Sequence, residues 1–194
     1  MRRAVFLDRD GTVCEDLGYL DDPSRLSVYP FAAAAVRAVN ASPLLAILVT
    51  NQSGVARGYF DEEAVRRVHD RLEAELSASG AHLDGIYYCP HHPTEGNPPY
   101  VRDCDCRKPR PGMLRQAAEE LDIDLPKSYV VGDKYSDVRL AHETGGRAVL
   151  VRTGYGRREW EYDRQSWPRQ PEHVAETLSD AVTWILEDIG KDTA

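Results

Sequence analysis

Three short apolar runs that each stop abruptly in polar residues govern the reading of this 194-residue chain. Ala4-Val5-Phe6-Leu7 ends in Asp8-Arg9-Asp10-Gly11-Thr12, Leu44 to Val49 ends in Thr50-Asn51-Gln52-Ser53-Gly54, and Tyr129-Val130-Val131 ends in Gly132-Asp133. A short apolar run without polar alternation reads as a strand buried on both faces. Between these runs the apolar residues recur with helical spacing. Strands separated by helices imply right-handed β-α-β units, hence an α/β fold with a parallel sheet sandwiched by helices. Ligands of such sheets bind at the carboxyl ends of the strands. Asp8 and Asp10, Thr50 and Asn51, and Asp133 are therefore expected on one rim.

The remaining pattern fits the same class. Phe31 to Ala41 reads as a helix set between Pro30 and Pro43. Asp61 is placed to cap a second, whose positions Ala64, Val65, Val68, Leu72 and Leu76 keep the 3.6-residue period until Gly80. Further helices are expected over Pro111 to Leu121, Ser136 to Thr144 and Leu178 to Ile189, and further strands over Ile86 to Tyr88 and Ala148 to Val151. His91 to Arg110 and Gly154 to Pro171 read as loops.

Composition narrows the partners. Charged residues make up 29% and the hydrophobic set 42%, an ordinary globular balance, and the length suits one domain over residues 1–194. Lysine plus arginine number 24 against 32 acidic residues, giving a net charge of −8 with the arginines scattered. That speaks against nucleic-acid and anionic-membrane partners. The stretch Ala4 to Leu7 is too short for a signal-peptide core, and no segment approaches a membrane span, so the expected location is the cytoplasm. No heptad or long apolar stripe declares a partner chain, which makes a monomer the default.

The expected rim carries its own chemistry. Asp8 beside Asp133 is unfavourable by like-charge repulsion unless a cation sits between them. A hard ion such as Mg2+ takes oxygen ligands and shares its site with substrate phosphate, so the pair predicts a phosphoryl substrate too. Thr50 and Asn51 offer neutral donors for phosphate oxygens. Asp8 is then the candidate nucleophile of the aspartyl-phosphate kind, and Asp10 the acid and subsequent base. Lys108, in Arg107-Lys108-Pro109, would neutralise charge on the equatorial oxygens in the transition state. A lone D-x-D often does no more than solvate a turn; here four signals occur in order, D-R-D-G-T, T-N, R-K-P and G-D-K-Y-S-D.

A second metal is suggested elsewhere. The sequence has four cysteines, of which Cys14 stands alone. Cys89-Pro90-His91 and Cys104-Asp105-Cys106 bracket the long loop with twelve residues between them. Three thiolates and an imidazole suit tetrahedral Zn2+, and four protein ligands leave no open position, so the ion would staple the loop within 89–106 rather than catalyse. Free buried cysteines or a disulfide are the other readings of these pairs, and His92 is an alternative to His91.

F-L-D-R-D-G-T, V-T-N-Q-S-G-V-A-R-G-Y-F, D-G-I-Y-Y-C-P-H-H-P, C-D-C-R-K-P-R-P-G-M and Y-V-V-G-D-K together resemble the cap-less, histidinol-phosphatase-like branch of the haloacid dehalogenase (HAD) superfamily, over nearly the whole chain. The resemblance implies a Rossmann-like HAD fold and a cytoplasmic, Mg2+-dependent phosphatase. It places Mg2+ on Asp8, the Asp10 backbone carbonyl and Asp133, and Zn2+ on Cys89, His91, Cys104 and Cys106. It also implies phosphate binding by Thr50, Asn51, Gln52, Ser53, Arg107 and Lys108, with Lys134 nearby, and a small-molecule sugar bisphosphate, a heptose derivative, as substrate. A second phosphate needs cations, for which Arg57 and Arg107 are the candidates, and Asp16 and Tyr19 are expected against the sugar. Histidinol phosphate is the runner-up substrate. A zinc-stapled binding protein without catalysis is the alternative of another class, and intact Asp8, Asp10, Lys108 and Asp133 argue against it.

Overall fold

In a computed structural model, which describes residues 1–191, the apolar runs assemble into one sheet. β1 (Arg3–Leu7), β2 (Leu44–Asn51), β3 (Gly85–Cys89), β4 (Tyr129–Gly132), β5 (Arg147–Val151) and β6 (His173–Ala175) are all parallel, in the order β3-β2-β1-β4-β5-β6. Successive side chains leave a strand on opposite faces. Val5, Leu7, Ala46, Leu48, Val131 and Val149 join α1 (Ala32–Asn40), α6 (Leu178–Lys191) and the Leu72 and Leu76 positions of α2 (Glu62–Ala78) in one core layer. Ala4, Phe6, Leu45, Ile47, Val49, Val130 and Leu150 meet α3 (Gly112–Leu121) and α4 (Tyr135–Glu143) in the other. The central strands have no solvent face, which is why their sequences show no alternation.

The helix signals act as the sequence suggests. The Asp61 side chain accepts a hydrogen bond from the Ala64 backbone at 2.8 Å and opens α2. α1 follows Pro30, and α3 ends on Asp122 in the left-handed region (φ 54°).

Two features differ from the sequence-based expectation. The stretch Gly154 to Pro171 is not all loop: it holds a short helix, α5 (Gly156–Arg158), a π-helical turn over Glu159–Asp163 and a 3-10 turn over Arg164–Ser166. Ring contacts rather than an amphipathic period order it. Trp167 stacks on Tyr135 at 4.6 Å and lies 6.3 Å from Trp160. β6 also escaped the sequence reading, because a three-residue strand pairing only with β5 is too short to carry a pattern.

The strand order fixes where function sits. The chain first winds from β1 to β2 and β3, then crosses to β4 on the other side of β1. The direction of winding thus reverses beside β1, and a crevice opens there at the carboxyl ends. Leu7 is in register with Val131, and the Asp8 backbone donates to Val131 O at 2.9 Å. Among the described residues, the stretches 8–31 and 90–111 hold no helix or strand beyond a 3-10 turn at Pro23–Arg25 and isolated bridges, so nothing of cap-domain size covers the crevice. No described helix is long and apolar enough to cross a membrane.

Candidate active site

A cavity of about 60 Å3 at the crevice is lined by Asp8, Asp10, Thr50, Asn51, Lys108, Lys134, Ser136 and Asp137. β1 delivers Asp8, β4 delivers Asp133, and the first turn of α4 delivers Asp137, so that carboxylate oxygens of all three lie within 4.8 Å of one another. The backbone makes room for this crowding. Gly11 (φ 84°) and Gly154 (φ 52°) press so closely on Asp133 that a Cβ at either would sit 2.2 or 2.3 Å from Oδ2.

Lys108 holds the cluster from the other side. Its Nζ donates to Asp8 Oδ1 at 2.7 Å and to Val49 O at 3.0 Å, and pairs with Asp137 Oδ1 at 2.6 Å. Burial pulls its ammonium down, but Asp137 and Asp8 more than offset this, and its pKa is pushed up to about 12. Asp133 is fully buried, and burial together with the charge on Asp8 pushes its carboxyl up to about 8. One oxygen, Oδ2, accepts from the Tyr155 backbone at 2.8 Å. The other, Oδ1, has no hydrogen-bond partner, and its closest cation, Lys134 Nζ, is 3.9 Å away. A buried carboxylate oxygen without a donor is costly, and a hard cation with oxygen ligands is what such a set of groups suits.

Asp10 points to a different set of partners. Arg9, with no exposed surface, donates to Asp10 Oδ1 from Nε at 3.0 Å and from Nη2 at 2.9 Å, and from Nη2 to Oδ2 at 2.9 Å. Gln52 Nε2 donates to Asp10 Oδ2 and to Thr50 Oγ1, each at 2.9 Å. Burial raises the Asp10 carboxyl above its ordinary range, and Arg9 partly opposes the rise. Behind Arg9, the buried His69 of α2 lies 3.4 Å from Nη1, and burial pushes its imidazole down to about 3.

The remaining candidate residues fall into three groups. Asp16 and Lys134 meet as an ion pair at 3.0 Å, and Lys134 Nζ also lies 4.7 Å from the centre of the Tyr155 ring. Tyr19 packs edge-on against Tyr59 at 4.6 Å, both rings largely exposed. Arg57 and Arg107 lie against the 90–111 loop: Arg57 pairs with Glu95 and reaches His92 at 3.3 Å, and Arg107 donates to His91 O at 3.2 Å. The Asn51 side chain, at the wall of the cavity, is engaged by the Lys108 backbone, donating to Lys108 O at 3.2 Å and accepting from Lys108 N at 3.0 Å. Ser53 is half-buried, and its carbonyl receives the Arg57 backbone N–H at 3.1 Å.

The four sulfur and nitrogen atoms of the long loop converge. Cys106 Sγ lies 3.2 Å from both His91 Nδ1 and Cys89 Sγ and 3.4 Å from Cys104 Sγ, and Cys89 Sγ is 3.6 Å from Cys104 Sγ and from His91 Nδ1. A tetrahedral Zn2+ with bonds of about 2.0–2.3 Å has ligand-to-ligand edges of roughly 3.3–3.8 Å. The observed edges fall in or just under that range. The thiols are free, and His91 rather than His92 turns inward; His92 accepts from the Thr94 and Glu95 backbone instead. Cys14 is buried beside Asp10 and stays apart from this group.

Sequence reasoning passed over Asp137, Arg9, His69 and Ser136. Asp137 had a signal, since it closes G-D-K-Y-S-D one helical turn after Asp133. Its early position in α4 also makes it a capping residue, accepting from Lys134 N at 3.2 Å. Arg9 and His69 had no visible signal, because only the fold brings α2 behind the D-R-D turn.

An aspartate just past β1, a lysine from a distant loop and a carboxylate pair after β4, gathered at the carboxyl edge of a parallel sheet, match a hydrolase of the HAD type. Residues 105–181 match the HAD-hydrolase-like family model. The chain is 42% identical, over 93% of its length and 95% of the other's, to the D-glycero-beta-D-manno-heptose-1,7-bisphosphate 7-phosphatase of Pasteurella multocida (strain Pm70). It is 43% identical, over 95% of both chains, to the D-glycero-D-manno-heptose-1,7-bisphosphate 7-phosphatase of Thermosynechococcus vestitus. The solved structure of D,D-heptose 1,7-bisphosphate phosphatase from B. bronchiseptica, complexed with magnesium and phosphate, superposes with a TM-score of 0.84 at 33% identity, covering 96% of this chain and 99% of that one. The protein belongs to this heptose-bisphosphate phosphatase family of HAD-like hydrolases, and it is a phosphoric monoester hydrolase.

Proposed function

We propose that the protein removes the 7-phosphate of D-glycero-D-manno-heptose 1,7-bisphosphate through a phosphorylated Asp8. The observation that carries this reading is the bridge from Lys108 to Asp8 and Asp137 beside an Asp133 oxygen that has no hydrogen bond. Asp8, Asp133 and the Asp10 carbonyl would hold Mg2+, which when bound offsets the repulsion between Asp8 and a phosphate dianion. Asp8 attacks phosphorus while the ester P–O bond breaks, and Asp10 gives the departing sugar oxygen its proton. Water then attacks the aspartyl phosphate, its proton passing to Asp10, and Asp8 is regenerated as phosphate leaves. Lys108 holds Asp8 in place and balances charge on the transferring group.

The scissile phosphate is taken to lie against Thr50, Asn51, Gln52, Ser53, Lys108 and Lys134, and the sugar against Asp16 and Tyr19. Arg57 and Arg107 are assigned to the second phosphate, both lying where the Zn2+-stapled loop walls the site. Zn2+ on Cys89, His91, Cys104 and Cys106 is a structural ion in this reading. Residues 1–194 act as one domain and as a monomer. The free thiols fit a reducing compartment, so we place the enzyme in the cytoplasm, in the synthesis of nucleotide-activated heptose for lipopolysaccharide or another surface glycan.

The test is phosphate release with Mg2+ from both anomers of the heptose bisphosphate, from histidinol phosphate and from a DNA 3′-phosphate. A kcat/KM at least about 100-fold higher for one heptose anomer is expected, which is close to 3 kcal/mol of transition-state discrimination. Comparable turnover of histidinol phosphate would reassign the substrate, and no release from any ester would leave a non-catalytic protein.

A further inference from the structure

The mechanism above uses Asp10 but not the two buried groups stacked behind it. A carboxylate offers about four lone-pair sites. On Asp10 four nitrogen contacts engage them, three from Arg9 Nε and Nη2 and one from Gln52 Nε2, while the Cys14 thiol lies 3.9 Å from Oδ1. The guanidinium presents a rigid planar fork to the carboxylate, whereas Gln52 reaches it with a single neutral donor. The fork is itself fixed from behind. Arg9 has no solvent contact, and its Nη1 faces His69 Nε2 at 3.4 Å. A guanidinium N–H only donates, so His69 Nε2 must accept and the ring is neutral with its proton on Nδ1. His69 is in turn set edge-on against Tyr88, at 5.7 Å between ring centres. Tyr88 donates to Glu62 Oε2 at 2.6 Å.

We infer that Arg9, backed by His69, is a positioning residue that fixes the plane of the Asp10 carboxylate, so that the oxygen facing Gln52 is the one that carries the proton to and from the substrate. Of the four bonds, only the one from Gln52 is readily given up. Gln52 has a second acceptor in Thr50 Oγ1 at 2.9 Å, so it keeps a partner when Oδ2 becomes protonated. Breaking the Arg9 fork instead would leave a buried guanidinium without a carboxylate, which is strongly destabilising. The Arg9 contacts to both oxygens therefore stay, and the position on Oδ2 that Gln52 occupies is the one left for proton transfer.

This inference rests on Asp10 being the acid. Its test reads proton transfer separately from folding and binding. Departure of an alkoxide from heptose 1,7-bisphosphate needs a proton donor far more than departure of p-nitrophenolate from p-nitrophenyl phosphate. We compare kcat/KM for the two esters in the wild type and in Asp10→Asn, Arg9→Lys and His69→Leu. Asp10→Asn should lower the heptose value about 100-fold more than the aryl value, within the usual range for general acid catalysis. Arg9→Lys should show at least a tenfold bias in the same sense with KM for the heptose within twofold. His69→Leu should show a threefold to tenfold bias, and it serves alone if Arg9→Lys does not fold. Equal losses for both esters in Arg9→Lys and His69→Leu, with the bias present in Asp10→Asn, would overturn the positioning role. Absence of the bias in Asp10→Asn would instead overturn the acid assignment on which it depends.

Discussion

The carboxylate rim and the cysteine cluster are both groups of side chains that could hold a metal ion, yet they are built in opposite ways. The rim draws Asp8 from β1, Asp133 from the end of β4 and Asp137 from α4, and it leaves an Asp133 oxygen unpartnered inside the protein. The cysteine cluster is drawn from the end of β3 and a single loop, and its four donor atoms already face one another at 3.2–3.6 Å. Hard oxygens with an incomplete shell suit a cation that also accepts substrate and water, whereas soft donors in a closed tetrahedron suit an ion that only holds the chain together. The rim rests on the carboxyl edge of the six-stranded sheet. The loop of residues 90–111 has no helix or strand of its own to hold it.

Replacing Asp8 should break function at the rim while leaving the fold intact. In Asp8→Asn we expect kcat to fall by about 10⁴-fold or more, since the proposed nucleophile is gone, with an unchanged melting temperature or a slight rise as one like charge leaves the cluster. Steady-state kinetics and thermal denaturation of the same preparation read both quantities. Turnover within tenfold of wild type would sink the aspartyl-phosphate route.

At the cysteine cluster the expected order is reversed. Cys104→Ser should lose the bound zinc and cost about 3 kcal/mol, or roughly 6–12 °C in Tm for a chain of this size. Activity should fall only as far as the loop loosens Arg107 and Lys108. Metal content by mass spectrometry, compared with Tm, decides the point: a zinc-free variant melting with the wild type would remove the staple role.

That contrast also explains what could be read from the sequence. The strands were legible because both their faces are buried, which leaves continuous apolar runs, and Asp8, Asp10 and Asp133 were legible because each follows such a run. The cysteines were legible from spacing alone, although only the fold turns His91 rather than His92 inward. Asp137 was hidden in an ordinary helix start, and its link to Lys108 joins segments far apart in sequence. Arg9 looked like a spacer between two aspartates, because its partner His69 lies on α2. The segment carrying Trp160 and Trp167 gave no periodic signal, since ring contacts to Tyr135 and hydrogen bonds from the Tyr135 and Tyr155 backbone to the Glu159 and Asp133 carboxylates order it.

A smaller effect concerns protons at the rim. In magnesium-free protein Asp133 is pushed up to about 8 and Asp137 to about 6, against about 3.9 for an unperturbed aspartate. A carboxyl whose folded pKa is raised holds its proton in the folded state at a pH where the unfolded chain has released it. The stability it contributes is therefore complete below about pH 4 and is lost as pH rises through 6 and 8. Magnesium-free protein should melt several degrees lower at pH 8.5 than at pH 6, and saturating Mg2+ should flatten that slope, with the cysteine cluster contributing equally in both conditions. Parallel slopes with and without Mg2+ would show that the carboxylates do not share a cation.

The smallest expected effect lies at the seam between the two regions. Lys108 is two residues from the zinc-ligand candidate Cys106, so the cluster anchors it from one side, while Asn51 at the end of β2 anchors it from the other by two hydrogen bonds to its backbone. Two neutral hydrogen bonds contribute about 1–3 kcal/mol together, and part of that is recovered by water once they are lost. Asn51→Ala should therefore lower kcat about tenfold, keep its zinc, and shift Tm by only a few degrees, because the Lys108 ammonium still has Asp8, Asp137 and Val49 O to hold it. If kcat stays within twofold of wild type, the cysteine cluster alone positions the lysine. If the fall matches that of a zinc-free variant, the two anchors act in series, and the rim depends on the staple as much as on the sheet.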